Sequence, residues 1–96
     1  MSGQYILEGK TAVPCNDVTT WGQWFGKRVA HDQQGDVRVS TVFLGRDFSR
    51  GEGPPQLFET MIFGGEHDQY QDRYATWDAA ELGHKYACKL AFGEDK

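Results

Sequence analysis

The chain has 96 residues, of which 39% are hydrophobic and 14% aromatic, and its formal net charge is −4. This length suits one small domain over residues 1–96, and the aromatic content argues against a disordered chain. The acidic balance argues against nucleic acid as the partner, because surfaces that bind nucleic acid are basic.

The amino terminus, MSGQYILEGK, lacks a charged region followed by a long apolar run, so we expect no secretory signal. No window approaches the roughly 18 consecutive apolar residues of a membrane-spanning helix. Cys15 and Cys88 lack the close spacing of a zinc knuckle, so we expect two reduced thiols in a cytosol. These features predict a cytoplasmic protein with no membrane partner.

The first predicted element is a tight β-hairpin with strands at 5–8 and 11–13. Gly9 stands at the first of the two loop positions, which suits a type II′ turn. Pro14 then ends the second strand, because proline has no N–H to donate to a ladder.

The next predicted element is a helix over 17–29, with Asn16 or Asp17 as its N-cap. Its apolar residues recur at helical spacing, although Gly22 and Gly26 each cost about 1 kcal/mol relative to alanine in a helix interior. The polar run 31–36 that follows is predicted as a turn.

Residues 37–44 and 57–63 predict two neighbouring antiparallel strands. The 46–56 loop between them is rich in glycine and proline and is long for a hairpin, where about 2–5 residues is usual. After a second polar connection, Thr76 caps a helix predicted over 77–91. The predicted order, ββαββα, favours an α+β two-layer sandwich with an antiparallel sheet and both helices on one face.

The last predicted strand carries a carboxylate in the middle of an apolar run. We assign Phe58 and Ile62 to the core and Glu59 to the outer face, because burying an unpaired carboxylate is costly. The alternative is a buried Glu59 that is paired with Arg38 or Arg73.

Alternation along both strands makes the outer face largely apolar. Large exposed apolar patches are uncommon, so this face is either an interface or a surface covered by the chain termini or the 46–56 loop. As an interface, it would bind a second copy of the chain, as a homodimer, or a host protein. The predicted protein-binding residues are Val42, Leu44, Leu57, Glu59, Met61 and Phe63.

Catalytic and metal-ligating signals are isolated. The pairs His31-Asp32 and His67-Asp68 each lie in a polar connection, and a metal site needs three or four converging ligands. Cys15 precedes a predicted helix N-terminus, which can lower a thiol pKa, but no nucleophile signature surrounds it. We therefore expect no metal or organic cofactor and no catalysis, and a small metal-dependent or thiol enzyme is the alternative.

Four blocks, YILEGKTAVPCND, VSTVFLG, PPQLFETMIFGG and RYATWDAAELGH, together resemble a group of small uncharacterised proteins of tailed bacteriophages and prophages. The resemblance implies a phage product that acts in the host bacterial cytoplasm and transfers no active site. Phages encode many small accessory proteins that bind host machinery, which is an association and not a physical argument. This association favours a protein that binds, and perturbs, a host or phage protein, and a minor virion component is a further alternative.

Overall fold

The computed structural model describes residues 4–47 and 53–93, and within them the chain forms six strands and two helices. Their bounds are β1 (Tyr5–Glu8), β2 (Thr11–Pro14), α1 (Val18–Gly22), β3 (Lys27–Gln34), β4 (Val37–Phe43), β5 (Phe58–Phe63), β6 (Gln71–Tyr74) and α2 (Trp77–Phe92). The class is α+β, as predicted. The order is ββαββββα and not ββαββα, and the strands form two antiparallel sheets, β1-β2 and β3-β4-β5-β6.

The β1-β2 hairpin is confirmed. Tyr5 pairs with Pro14 and Glu8 with Thr11, around a turn in which Gly9 has a φ of 64°. The Tyr5 N–H donates to the Gly45 carbonyl at 2.7 Å, which ties the hairpin to the segment after β4.

The predicted helix over 17–29 is wrong beyond its first turn, since α1 ends at Gly22. Asp17 is the N-cap, and its carboxylate accepts from the Thr19 N–H at 3.1 Å and from the Thr20 hydroxyl at 2.7 Å. The helix stops at Gly22, and Gly26 takes a φ of 77°, a left-handed conformation that glycine adopts without strain. At that point the chain enters β3.

The chain beyond Gly26 forms a strand because β4 offers it a complete antiparallel partner. The pairing runs from Lys27 opposite Phe43 to Gln34 opposite Val37, with an irregularity between Arg28 and Ala30. The predicted polar turn over 31–36 is therefore also wrong, since its first four residues belong to the strand. Pairing with β4 satisfies the backbone N–H and C=O groups of this segment, which has only a weak helical pattern.

The second connection, which was predicted as polar and without a strand, contains β6. β6 pairs antiparallel with β5, with Glu59 opposite Arg73 and Met61 opposite Gln71. As an edge strand it is largely exposed, so its sequence, QDRY, lacks the apolar alternation of a half-buried strand.

The predicted neighbours β4 and β5 are confirmed as an antiparallel pair, from Arg38 opposite Phe63 to Phe43 opposite Phe58. The face toward α2 is buried and consists of Val39, Thr41, Phe43, Phe58, Thr60 and Ile62. We call this the inner face, and the opposite side of the four-stranded sheet the outer face.

Helix α2 is confirmed at 77–92 and lies against the inner face. Its N-cap Thr76 accepts from the Ala79 N–H at 3.1 Å, and Gly93 ends it with a φ of 65°. The buried side chains of α2 are Ala80, His84 and Ala87. Two of the three are small, which lets the helix axis approach the sheet closely and leaves His84 as its one polar buried group among these residues.

Candidate functional site

The outer face contains three of the apolar residues that the sequence placed there. Val42, Met61 and Phe63 are half-buried, and each keeps part of its surface accessible. Leu44 and Leu57 are 8% and 1% exposed, so they do not belong to an accessible patch.

The burial of Leu57 has a tertiary cause. Leu57 lies just before β5 and packs in one cluster with Leu7 of the hairpin and with Phe43 and Phe58. The amino-terminal hairpin therefore closes this end of the sheet. Strand alternation could not show this, because the contact joins residues about fifty positions apart along the chain.

Glu59 lies on the outer face, as predicted, and it also has the Arg73 partner that we had linked to burial. Arg73 Nε lies 3.1 Å from the Glu59 carboxylate, and the Gln71 amide donates to the same oxygen. The Glu59 side chain is 14% exposed and that of Arg73 is 38% exposed. Neighbours on β6 thus solvate a carboxylate that would otherwise sit unpaired among apolar side chains.

The outer face also carries cationic side chains that no sequence pattern brought together. Arg28 lies opposite Val42 across β3 and β4, and Arg38 lies opposite Phe63 with its guanidinium 4.7 Å from the ring centroid. Within 4–47 and 53–93, neither Arg28 nor Arg38 forms an ion pair. The accessible apolar strip is therefore bordered by two guanidinium groups whose charge is not neutralised there.

A second group of polar residues lies on the other side of the sheet, in a cleft of about 380 Å³ between β3 and the second half of α2. Asp32 from β3 and His84 and Cys88 from α2 line it. These are the only described His, Cys, Asp or Glu side chains that converge in a group of three or more, with their donor atoms within 4.8 Å of one another.

His84 is the centre of this cluster and is 5% exposed. Its Nδ1 lies 2.7 Å from the Thr41 hydroxyl, and its Nε2 lies 2.8 Å from Asp32 Oδ2. The Thr41 hydroxyl is also hydrogen-bonded to that of Thr60, at 2.5 Å. Both ring nitrogens of this buried histidine therefore have a hydrogen-bond partner.

Asp32 faces the mouth of the cleft, and its side chain is 58% exposed. The hydrogen bond to His84, with a further contribution from the Cys88 thiol at 3.6 Å, holds the pKa of the Asp32 carboxyl below its ordinary value of 3.8. The cluster thus favours an ionised carboxylate beside an imidazole and a thiol.

The dipeptide His31-Asp32 does not act as a unit. In β3, His31 lies opposite Ser40 on the outer face, whereas Asp32 lies opposite Val39 on the inner face. Asp32 therefore pairs with His84, which is 52 positions away, and not with its sequence neighbour.

The other two sequence candidates have structural contacts. Asp68 accepts from the Gly64 N–H at 2.6 Å and so stabilises the turn that leads from β5 to β6. Cys15 is buried, and its thiol donates to the Asp17 carbonyl at 3.5 Å. Neither residue belongs to the converging cluster in the cleft. The i, i+4 spacing of His84 and Cys88 on a predicted helix was the sequence signal that could have indicated that cluster.

No protein-family model matches the chain. No curated protein and no solved structure matches it either. Of the two helices in the described ranges, neither is both long enough and apolar enough to cross a membrane.

Proposed function

We propose that this protein has no catalysis of its own and binds another protein through the outer face of the β3-β4-β5-β6 sheet. One observation carries the proposal, namely the accessible strip of Val42, Met61 and Phe63 beside Arg28 and Arg38, whose guanidinium groups form no ion pair within 4–47 and 53–93. An accessible apolar strip with charged borders is typical of a protein-binding surface.

The charges on this face favour a partner that presents an acidic segment. Arg28 and Arg38 have no carboxylate partner among the described residues, whereas Glu59 is already paired with Arg73. Carboxylates of a partner can form bidentate hydrogen bonds with both arginines while apolar side chains cover Met61.

A second copy of the chain suits this face less well. A two-fold interface brings the same patch of both subunits together, so Arg28 and Arg38 of one copy would approach those of the other. Like charges held close together in an interface are costly. We therefore place an acidic partner ahead of the homodimer, which the sequence had left open beside a host protein.

The resemblance to small proteins of tailed phages supports the biological part of the proposal. The chain would act in the host bacterial cytoplasm and bind, and so perturb, a host or phage protein. Arg28 and Arg38, which have no ion pair in the described part of the chain, add a chemical requirement, since the partner has to offer carboxylates beside an apolar contact.

Matched substitutions on the two sides of the molecule test this proposal. Met61→Asp places a charge in the strip, and the double variant Arg28→Glu/Arg38→Glu reverses the charge of both arginines at its borders. Leu82→Asp is the control, because Leu82 lies on α2 and is 69% exposed. Immobilised wild type and the three variants are used to capture proteins from bacterial lysate, and the captured protein is then purified and titrated in increasing salt.

We expect a partner that binds the wild type and Leu82→Asp, is lost with both outer-face variants, and weakens as salt rises. Binding that persists in Met61→Asp with a native circular dichroism spectrum would overturn the outer face as the site. Salt-independent binding would overturn the acidic partner. Sedimentation that shows a wild-type dimer and a Met61→Asp monomer would make the second copy the occupant instead.

A further inference from the structure

We propose that Asp32, His84 and Cys88 form a binding site for one divalent metal ion of the zinc class. The site lies on the inner side of the sheet and is independent of the proposed protein-binding face. It also reverses the expectation, drawn from isolated ligand pairs in the sequence, that the protein needs no metal.

The three donor atoms already converge. His84 Nε2 lies 2.8 Å from Asp32 Oδ2, Cys88 Sγ lies 3.6 Å from the same oxygen, and all three atoms lie within 4.8 Å of one another. His84 and Cys88 are four residues apart on α2, so one helix face presents both donors to the same point.

These separations suit tetrahedral coordination after a small adjustment. Bonds of about 2.0–2.3 Å at tetrahedral angles place a sulfur and an oxygen donor about 3.6 Å apart, and a nitrogen and an oxygen donor about 3.4 Å apart. The sulfur–oxygen distance already has this value. The nitrogen–oxygen distance, now 2.8 Å, has to open by about 0.6 Å, and Asp32, whose side chain is 58% exposed, can move that far.

His84 is held in the orientation that a metal ligand needs. Its ring is 5% exposed, and Thr41 occupies Nδ1 at 2.7 Å, which leaves Nε2 directed at Asp32 and the cleft. Without a metal, Nε2–H donates to the ionised Asp32 carboxylate. A metal ion would take the place of that proton on Nε2, with Nδ1–H then donating to the Thr41 hydroxyl and Thr41 donating onward to Thr60. Hydrogen bonds of this kind fix the tautomer of histidines that bind metals.

The donor set selects the class of ion. A thiolate, an imidazole and a carboxylate suit zinc and similar borderline ions, whereas magnesium and calcium prefer oxygen ligands alone. Three protein ligands leave a fourth position, which the cleft of about 380 Å³ opens to water or to a small ligand. Binding requires Cys88 to lose its thiol proton, so metal uptake releases protons and strengthens as pH rises.

The competing interpretation is that the three side chains only form a hydrogen-bonded network that joins α2 to β3. Titration of untagged, reduced, metal-free protein with Co²⁺ distinguishes the two. A site with a thiolate ligand gives tetrahedral d–d bands together with a thiolate-to-cobalt charge-transfer band at one equivalent, and Zn²⁺ then displaces the Co²⁺. A network alone gives none of these signals.

Four variants assign the ligands, with the circular dichroism spectrum of each checked first. Cys88→Ser should abolish the charge-transfer band, and Asp32→Asn should weaken Co²⁺ binding. Thr41→Val, which leaves the three ligands in place, should weaken it by about 10–100-fold. Cys15→Ser is the control and should bind like the wild type.

The absence of saturable binding at one equivalent in the wild type would overturn the proposal. So would a charge-transfer band that survives in Cys88→Ser or disappears in Cys15→Ser. Zn²⁺ should also raise the thermal midpoint of the wild type and of Cys15→Ser, but not that of Cys88→Ser. A rise of equal size in all three would mean that the ion binds elsewhere.

Discussion

At the residue scale, Glu59 and His84 are two polar groups in apolar or buried settings, and each has particular neighbours that make it tolerable. Glu59 stands in an apolar strand because Arg73 and Gln71 on β6 donate to its carboxylate. His84 stands in the core because Thr41 and Asp32 occupy its two ring nitrogens. Buried polar groups are costly only when they lack partners, so neither residue contradicts the fold.

Tyr70 provides a residue-scale prediction about alkaline pH. It packs partly buried against the cluster of Val39, Ile62 and Ala87, and burial raises its pKa to about 12 from an ordinary 10.0. Between these values the unfolded chain has lost the phenol proton and the folded chain has kept it. The free energy of unfolding should therefore fall as pH rises from about 10 to 12.

Tyr70→Phe should reduce this alkaline loss of stability while keeping the ring in place. A smaller loss should remain, because burial also raises the pKa of Tyr74. Urea denaturation at a series of pH values measures the effect. Tyr86→Phe, at a position that is 57% exposed, is the matched control for removal of a phenol. An unchanged pH dependence in Tyr70→Phe would contradict the prediction.

At the element scale, the close packing of α2 against β6 depends on Gly83. A Cβ at Gly83 would overlap the hydroxyl and ring of Tyr74, the last residue of β6. The helix can therefore pack against Tyr74 only if position 83 is glycine. This glycine is intrinsically unfavourable in a helix, by roughly 1 kcal/mol relative to alanine, and close packing accounts for its presence.

Gly83→Ala should lower the free energy of unfolding by about 1–3 kcal/mol, because the overlap outweighs the gain in helix propensity. Gly22→Ala is the matched control, since a Cβ at the end of α1 meets no atom within 4 Å. Urea denaturation of both variants tests the difference. Equal stability of the two variants would mean that α2 does not lie against Tyr74 as described.

At the scale of the whole molecule, two sheets that share no strand share one core. Leu7 of β1 is 5% exposed and packs with Phe43 and Phe58 of the larger sheet and with Leu57, which lies just before β5. A two-stranded hairpin is at best marginally stable alone, so this contact, together with the hydrogen bond from the Tyr5 N–H to the Gly45 carbonyl, holds β1 and β2 in place.

Leu7→Ala should therefore destabilise the entire chain by about 2–5 kcal/mol, as expected for a leucine truncated in a core. Far-ultraviolet circular dichroism and tryptophan fluorescence should report one coincident transition at lower denaturant. Leu82→Ala, at a position 69% exposed, should change stability by less than about 0.5 kcal/mol. Two separate transitions in the wild type would show that the hairpin unfolds independently.

Local signals were sufficient for three parts of the fold. Gly9 marks the turn of the hairpin and Pro14 its end. Alternation identifies β4 and β5. Thr76 and Gly93 mark the two ends of α2. Each of these signals acts between residues that are close in sequence, through turn geometry, capping or side-chain period. That is why the α+β class could be predicted from the sequence alone.

The remaining features depend on contacts between residues distant in sequence. β3 and β6 have polar sequences and become strands because β4 and β5 offer them backbone partners. Hairpin packing buries Leu57, and the pairing of β3 with β4 turns Asp32 toward His84. Composition and alternation could indicate an apolar face, but the arginines that border it and the three donors in the cleft meet only in the folded chain. The physical reason is that period and propensity describe a residue and its near neighbours in sequence. Strand pairing decides on which face of the sheet each side chain lies and which distant side chains it contacts.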